Sequence, residues 1–207
     1  LRHLKGCEKS LQRIKSGIEF IKSDPTAYLA FKMANEAMMR QQIAGKGQAR
    51  TTHLVDGKYQ FFPAQMVNFD NKVENQKQES INNLESESGI WRPFQIAFIL
   101  MNLESLAEPE SSERKIVDLL WFPTGGGKTE AYLGLSAFQM VLRRIRDKSD
   151  FGTDVIMRYT LRLLTAQQFH RASGLIYALE HIRKKNISIL GEHQFSIGIW
   201  IGGDSTY

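Results

Sequence analysis

The stretch that decides the interpretation is Trp121-Phe122-Pro123-Thr124-Gly125-Gly126-Gly127-Lys128-Thr129-Glu130, with apolar runs at 116–120 and 131–135 on either side. Strand-forming residues lead into a glycine cluster and helix formers follow it, so the pattern predicts a strand, a loop and a helix in that order. Consecutive glycines lack Cβ atoms, which allows backbone N–H groups to turn inward around an anion. The helix N-terminus adds the positive end of its dipole at the same place.

This arrangement predicts a loop that binds the phosphates of a nucleotide. Lys128 would reach the β and γ phosphates, and the Thr129 hydroxyl would hold Mg²⁺, so these two form the expected catalytic pair. The pattern G-x-x-x-x-G-K-[ST] has glycine at its first position, where this chain has Phe122. A chance glycine turn before a helix is the structural alternative. The expected phosphate-binding residues are Pro123, Thr124, Gly125, Gly126, Gly127, Lys128, Thr129 and Glu130.

Composition places the chain among ordinary soluble proteins. Its 207 residues, 42% of them hydrophobic, allow one or two domains. No stretch approaches the roughly 18–20 apolar residues of a membrane span, and Cys7 is the single cysteine, so we expect a cytoplasmic protein without a membrane partner. The net charge of +5 suits a nucleic-acid partner. A start without Met and an abrupt end suggest a piece of a longer protein.

The first half of the chain predicts helices and one hairpin. Residues 1–22 have helical apolar spacing and a basic face, which is either solvated or in contact with DNA. Asp24-Pro25 predicts the start of a second helix with an apolar stripe of core residues. Asp56-Gly57 predicts a short hairpin turn. Residues 70–89 read as a solvated loop or a weak surface helix.

The second half alternates strands and helices. An apolar helix is predicted from about Pro93, and further helices over 128–146 and 163–184. Strands are predicted over 116–120, 154–160 and 195–201. Alternation of this kind implies a parallel sheet with right-handed crossovers, and hence an α/β fold. The predicted organisation is a helical segment at 1–44, a loop-rich and partly flexible connector at 45–90, and a nucleotide-binding domain at 91–207.

The form Pro-Thr-Gly-x-Gly-Lys-Thr resembles motif I of superfamily 2 helicases and translocases, which do not require the first glycine. The resemblance implies an incomplete RecA-like P-loop domain, the first half of ATPase lobe 1, with ATP as the nucleotide. Gln95 lies 33 positions before Lys128 (128 − 95) in an Arg-Pro-aromatic-Gln segment that resembles the adenine-reading element of this superfamily. Its amide can pair with adenine edges, and Arg92 or Phe94 would flank the base. A helix start that carries a polar residue is the alternative.

Two further segments resemble nucleic-acid-binding motifs of the same superfamily. Arg162, Leu164 and Gln167 reproduce the Arg-x-Leu-x-x-Gln spacing of motif Ia, and Arg162, Thr165 and Gln167 would hold backbone phosphates. Gly202 and Gly203 occupy the place of the motif Ib glycines. The structural alternatives are a surface helix start and an ordinary turn.

Longer phrases narrow the resemblance to the helicase component of the DISARM antiphage defence system, the DrmA family. They include Trp-Phe-Pro-Thr-Gly-Gly-Gly-Lys-Thr-Glu-Ala-Tyr-Leu-Gly-Leu and Arg-Tyr-Thr-Leu-Arg-Leu-Leu-Thr-Ala-Gln-Gln-Phe. The likeness covers residues 26–39, 91–103, 119–135, 158–171 and 198–203. It implies a much larger protein with a second ATPase lobe, a partner subunit in the same defence system, and action on DNA.

The acidic pair of such enzymes does not follow Gly203 in this sequence. Phosphoryl transfer needs that carboxylate for Mg²⁺ and an arginine from the second lobe, so this chain alone is not expected to hydrolyse ATP. The first hypothesis is the ATP-binding portion of an ATP-dependent DNA helicase or translocase. The second is a nucleotide-gated DNA-binding or loading subunit that does not separate strands. A P-loop enzyme acting on a small substrate is the third.

Overall fold

The computed structural model describes residues 2–45, 51–62, 69–82, 89–123, 125–159 and 162–200. This part of the chain forms seven α-helices, a 3₁₀ helix at Ser112–Lys115 and one β-hairpin. The helices are α1 (Arg2–Ser23), α2 (Pro25–Gly45), α3 (Phe69–Asn82), α4 (Pro93–Ala107), α5 (Lys128–Arg146), α6 (Arg162–Lys185) and α7 (Ile187–Leu190), and the strands are β1 (Thr51–Val55) and β2 (Lys58–Phe62). No helix in these ranges is long and apolar enough to cross a membrane.

Helix α2 lies at the centre of a helical bundle and packs against both α5 and α6. Its buried face carries alanines at a spacing of three and four residues, so neighbouring helices approach closely. Phe138 on α5 and Leu179 on α6 are fully buried in the same core. The buried alanines are Ala27, Ala30, Ala34 and Ala37.

Helix α1 packs on α4 at a close crossing. A Cβ atom at Gly17 would lie 1.9 Å from the carbonyl oxygen of Leu100, a distance that no side chain tolerates. Gly17 is therefore the contact point that lets the two helix backbones meet. On the same helix, Arg13 donates two hydrogen bonds to the Asp118 carboxylate, at 2.6 and 2.8 Å, and so ties the segment before the glycine cluster to α1.

Local signals predicted the helix starts and the hairpin correctly. The Asp24 carboxylate accepts the N–H groups of Thr26 and Ala27, at 2.7 and 3.1 Å, directly before Pro25, the first residue of α2. Strands β1 and β2 pair antiparallel across the Asp56-Gly57 turn. The predicted helices over 128–146 and 163–184 are confirmed as α5 and α6.

The polar stretch after residue 69 forms α3, a surface helix held by ion pairs. Asp70 accepts hydrogen bonds from Lys185 of α6, at 2.7 Å, and from Arg40 of α2, at 2.8 Å, with His181 at 3.2 Å. These hydrogen bonds hold the pKa of the Asp70 carboxyl well below its usual range. One carboxylate thus joins three helices.

The predicted α/β fold with a parallel sheet, and with it the RecA-like lobe, is wrong. The segments predicted as strands form neither strands nor helices in their described residues, and β1 with β2 is the sheet that the structure describes. Apolar side chains of all three segments face solvent, with Val117, Ile156 and Trp200 exposed at 93%, 81% and 93%. A strand needs a neighbour for its N–H and C=O groups, whereas the helices here bury their apolar faces against one another.

Candidate functional site

The candidate site is the glycine loop, defined as Gly125, Gly126 and Gly127, where it meets α5. Gly125 and Gly127 have φ angles of +80° and +89°, in the left-handed region that favours glycine. Gly127 is the N-cap of α5 and has no side chain, so no N-cap side chain accepts the N–H groups of the first turn. The helix start therefore has donors and a positive dipole end with which to bind an anion.

Lys128, the first residue of α5, folds back over the segment before the loop. Its ammonium group donates to the backbone oxygens of Phe122 and Pro123, at 2.6 and 3.0 Å. The Pro123 oxygen also accepts the Gly126 N–H at 3.2 Å, which closes the turn. These bonds join an ionised donor to neutral carbonyl groups, whereas a bond to phosphate would join two ionised groups, so an anion in the loop would compete for this lysine.

Two side chains from the start of α4 reach the carbonyl groups of the glycine loop. Arg92 donates to the Gly126 oxygen at 2.9 Å, and Gln95 donates through Nε2 to the Gly127 oxygen at 2.8 Å. The structure thus brings together Arg92, Gln95 and the loop, as the sequence analysis expected of one site. Their contact with adenine stays a prediction.

Glu130 connects the first turn of α5 to α6. One carboxylate oxygen pairs with the Arg171 guanidinium, while the other, Oε2, is buried without a hydrogen-bond partner in the described part of the chain. Arg171 is the last residue of the segment 158–171 that resembles the DrmA family, and it lies outside the motif Ia spacing of Arg162, Leu164 and Gln167. Glu130 and Arg171 lie 41 positions apart (171 − 130), and no local sequence pattern indicates that two residues at this separation form an ion pair.

Phe122, which replaces the first glycine of the phosphate-loop pattern, has a packing role. Its ring stacks on Phe94, with ring centroids 3.9 Å apart and planes inclined by 16°. The same ring covers Gly126, where a Cβ atom would lie 2.4 Å from Phe122 Cδ1. Phe122, which stands where the pattern has glycine, therefore packs its ring over position 126 and leaves room only for glycine there.

The other predicted residues lie around the loop, in α6 or outside the described ranges. Thr129 is half-buried in the first turn of α5, and Pro123 is exposed. Arg162 begins α6, where Thr165 is half-buried and Gln167 is exposed. Thr124, Gly202 and Gly203 lie outside the described residues. Among the residues whose placement is known, no group of three His, Cys, Asp or Glu side chains could hold a metal ion.

These features define a helical protein with a glycine loop at the start of a helix, braced by side chains from a second helix. The sequence is 40% identical over 213 aligned positions to the DISARM protein DrmA of Bacillus paralicheniformis. The similarity covers 99% of this chain and 17% of that protein, so the chain matches a portion of it and confirms the resemblance found in the sequence. No family model matches the chain, and no solved structure matches it.

Proposed function

We propose that this chain is the ATP-binding portion of a longer, DNA-acting ATPase of DISARM-type antiphage defence. The observation that carries the proposal is the glycine loop at the start of α5, with Lys128 beside an N-terminus that has no N-cap side chain. The similarity to DrmA supports the defence role. A partner subunit of the same defence system completes the proposal.

The residues present fit a triphosphate with Mg²⁺. A Cβ atom at Gly127 would lie 2.6 Å from Gln95 Nε2. Position 127 therefore has no room for a side chain, and its backbone lies directly against Gln95. The glycine loop and Lys128 would hold the phosphates, and Thr129 would hold Mg²⁺. ATP, when bound, supplies the free energy that a helicase or translocase converts into movement. Arg162, Thr165, Gln167, Gly202 and Gly203 are proposed to contact DNA.

One observation favours the alternative, a nucleotide-gated DNA-binding or loading subunit. Glu130, the carboxylate nearest Thr129 in the sequence, is already paired with Arg171. This leaves nucleotide binding, rather than hydrolysis, as the activity that the present residues support. The two proposals differ in whether the full-length protein displaces a paired DNA strand, and a DNA affinity that rises with ATP without displacement would support gating.

The test is binding of Mg²⁺-ATP, measured by calorimetry on the full-length protein and on a Lys128→Ala variant. Loss of the Lys128 ammonium group is expected to lower the affinity for ATP at least tenfold, since hydrogen bonds to charged groups contribute about 1.5–3 kcal/mol. Lys148→Ala is the matched control, because Lys148 is exposed just beyond the opposite end of α5. Equal ATP affinity in wild type and Lys128→Ala would contradict the proposal.

A further inference from the structure

Gln95 is buried in the site rather than presented to its opening. It lies in the first turn of α4 with 5% of its surface exposed, among a small set of buried polar residues. Burying an amide is costly unless its polar atoms have partners. Its contacts therefore define its role.

Both ends of the Gln95 amide are engaged by backbone groups of two different segments. Oε1 accepts the N–H of Arg92 at 2.8 Å, which closes the first turn of α4. Nε2 donates to the Gly127 oxygen at 2.8 Å, across 32 positions of sequence. One side chain thus joins the start of α4 to the start of α5.

The bond to Gly127 acts on one of the two loop glycines in the left-handed region. Gly127 has a φ angle of +89° and directly precedes Lys128. Fixing its carbonyl fixes the peptide plane that follows, which carries the N–H of Lys128. Gln95 therefore sets the direction of a donor at the anion-binding end of α5.

Reading a base would require Gln95 to abandon these contacts. Adenine offers a donor and an acceptor edge, which a glutamine recognises by presenting both of its amide atoms together. In the structure the two atoms point to Arg92 N and Gly127 O, and the side chain is almost wholly covered. A nucleobase would have to displace both hydrogen bonds and then reach a buried group.

We infer that Gln95 is a positioning residue that holds the glycine loop ready for phosphates and does not select the base. The inference rests on the proposed nucleotide-binding function. It assigns the affinity supplied by Gln95 to the triphosphate, which ATP, GTP and inorganic tripolyphosphate have in common. Base selectivity, where the protein has any, must come from other residues.

The experiment measures binding of Mg²⁺-ATP, Mg²⁺-GTP and Mg²⁺-tripolyphosphate to the full-length protein by calorimetry. Gln95→Ala is expected to weaken all three by the same factor, about three- to tenfold for one lost loop contact. The ratio of ATP to GTP affinity stays unchanged, and so does the binding stoichiometry. A variant that merely unfolds would lose stoichiometry instead, so the two effects are separable.

Two further variants complete the design. Gln95→Met keeps the side-chain volume and removes both hydrogen bonds, so it gives the same uniform loss even where Gln95→Ala folds poorly. Gln12→Ala, at an exposed position of α1, is the control and leaves all three affinities unchanged.

Three outcomes would overturn the inference. The first is a loss confined to ATP, which would make Gln95 a base reader, and the second is no change for any probe. The third is a wild-type protein that binds none of the three probes, which removes the proposed function as well. Lys128→Ala distinguishes these outcomes. It lowers the affinity for the probes in the first two, whereas in the third the wild-type protein has no affinity to lower.

Discussion

Gly127 is the residue at which the backbone geometry of the site and its side-chain contacts meet. Its left-handed conformation costs little for glycine and about 1 kcal/mol or more for any other residue. A Cβ atom there would also lie 2.6 Å from Gln95 Nε2 and 3.2 Å from Glu130 Oε2. Both the conformation and the lack of space therefore require glycine.

We expect Gly127→Ala to lower the free energy of unfolding by about 1–3 kcal/mol, the sum of backbone strain and the displacement of Gln95. Denaturant titration of the purified chain measures the change. Gly6→Ala is the matched control, since Gly6 lies within α1 with no atom near its Cβ position, and alanine there should stabilise by about 0.5–1 kcal/mol. Similar shifts for the two variants would argue against a constrained loop.

At the scale of elements, the ion pair between Glu130 and Arg171 joins the first turn of α5 to the third turn of α6. Helix α5 carries Lys128 and Thr129, which are proposed to bind phosphates and Mg²⁺, and α6 carries the predicted DNA contacts at its first turns. The Glu130 side chain is mostly buried, with 16% of its surface exposed, whereas the Arg171 side chain is 41% exposed. Removing the arginine would leave a covered carboxylate without its cation, and that loss is the costly one.

Arg171→Ala is accordingly expected to destabilise the chain by about 1–2 kcal/mol. Adding Glu130→Gln should restore part of this loss, because a neutral amide tolerates the covered position better than an unpaired charge. Thermal unfolding of the two single variants and the double variant measures the coupling. Lys22→Ala, which breaks an exposed pair with Glu19, provides a near-neutral reference. A double variant less stable than Arg171→Ala would contradict this account.

Helix α3 gives a pH-dependent prediction, because Asp70 joins it to α2 and α6. The folded pKa of Asp70 lies below its unfolded value, so its contribution is complete above an unfolded pKa of about 4 and declines as the pH falls below that value. Asp70→Asn should cost about 1 kcal/mol at pH 7, a value discounted for the exposure of this carboxylate.

The stability difference between wild type and Asp70→Asn should therefore shrink as the pH falls from 4 toward 2. Urea unfolding at a series of pH values tests the trend. Glu79→Gln, at an exposed position on the same helix, should change stability little at pH 7. A difference that stays constant down to pH 2 would show that the Asp70 charge is not what holds α3.

At the scale of the whole molecule, the helices and the hairpin were predictable from sequence, whereas the expected parallel sheet was wrong. Helix signals are local: Asp24-Pro25 and the helical spacing of apolar residues in α5 act within a few positions, and both are confirmed. A strand signal such as 116–120 specifies an extended backbone but not its partner, and pairing depends on distant residues. The site divides in the same way, because Lys128 and the glycines form a local pattern whereas Arg171 enters through tertiary packing.

The unpaired segments predict how the isolated chain behaves. Exposed apolar stretches that belong to no sheet tend to associate with one another, so the chain should self-associate as its concentration rises. Replacing Val117 and Leu119 by Lys should lower this association, measured by static light scattering. Gln12→Lys combined with Ser10→Lys adds the same charge on α1 as a control. A monomeric wild type at all concentrations would refute the expectation.

The close contact between α1 and α4 at Gly17 limits how the N-terminal helix can move. Sliding α1 along α4 by one turn, about 5.4 Å, would bring Arg13 or Ile21 opposite the Leu100 carbonyl, and neither side chain leaves space for it. The contact at Gly17 therefore fixes the position of α1 along α4. A pull applied to the N-terminus would be passed on rigidly to α4, and through Gln95 to the loop where the phosphates are proposed to bind.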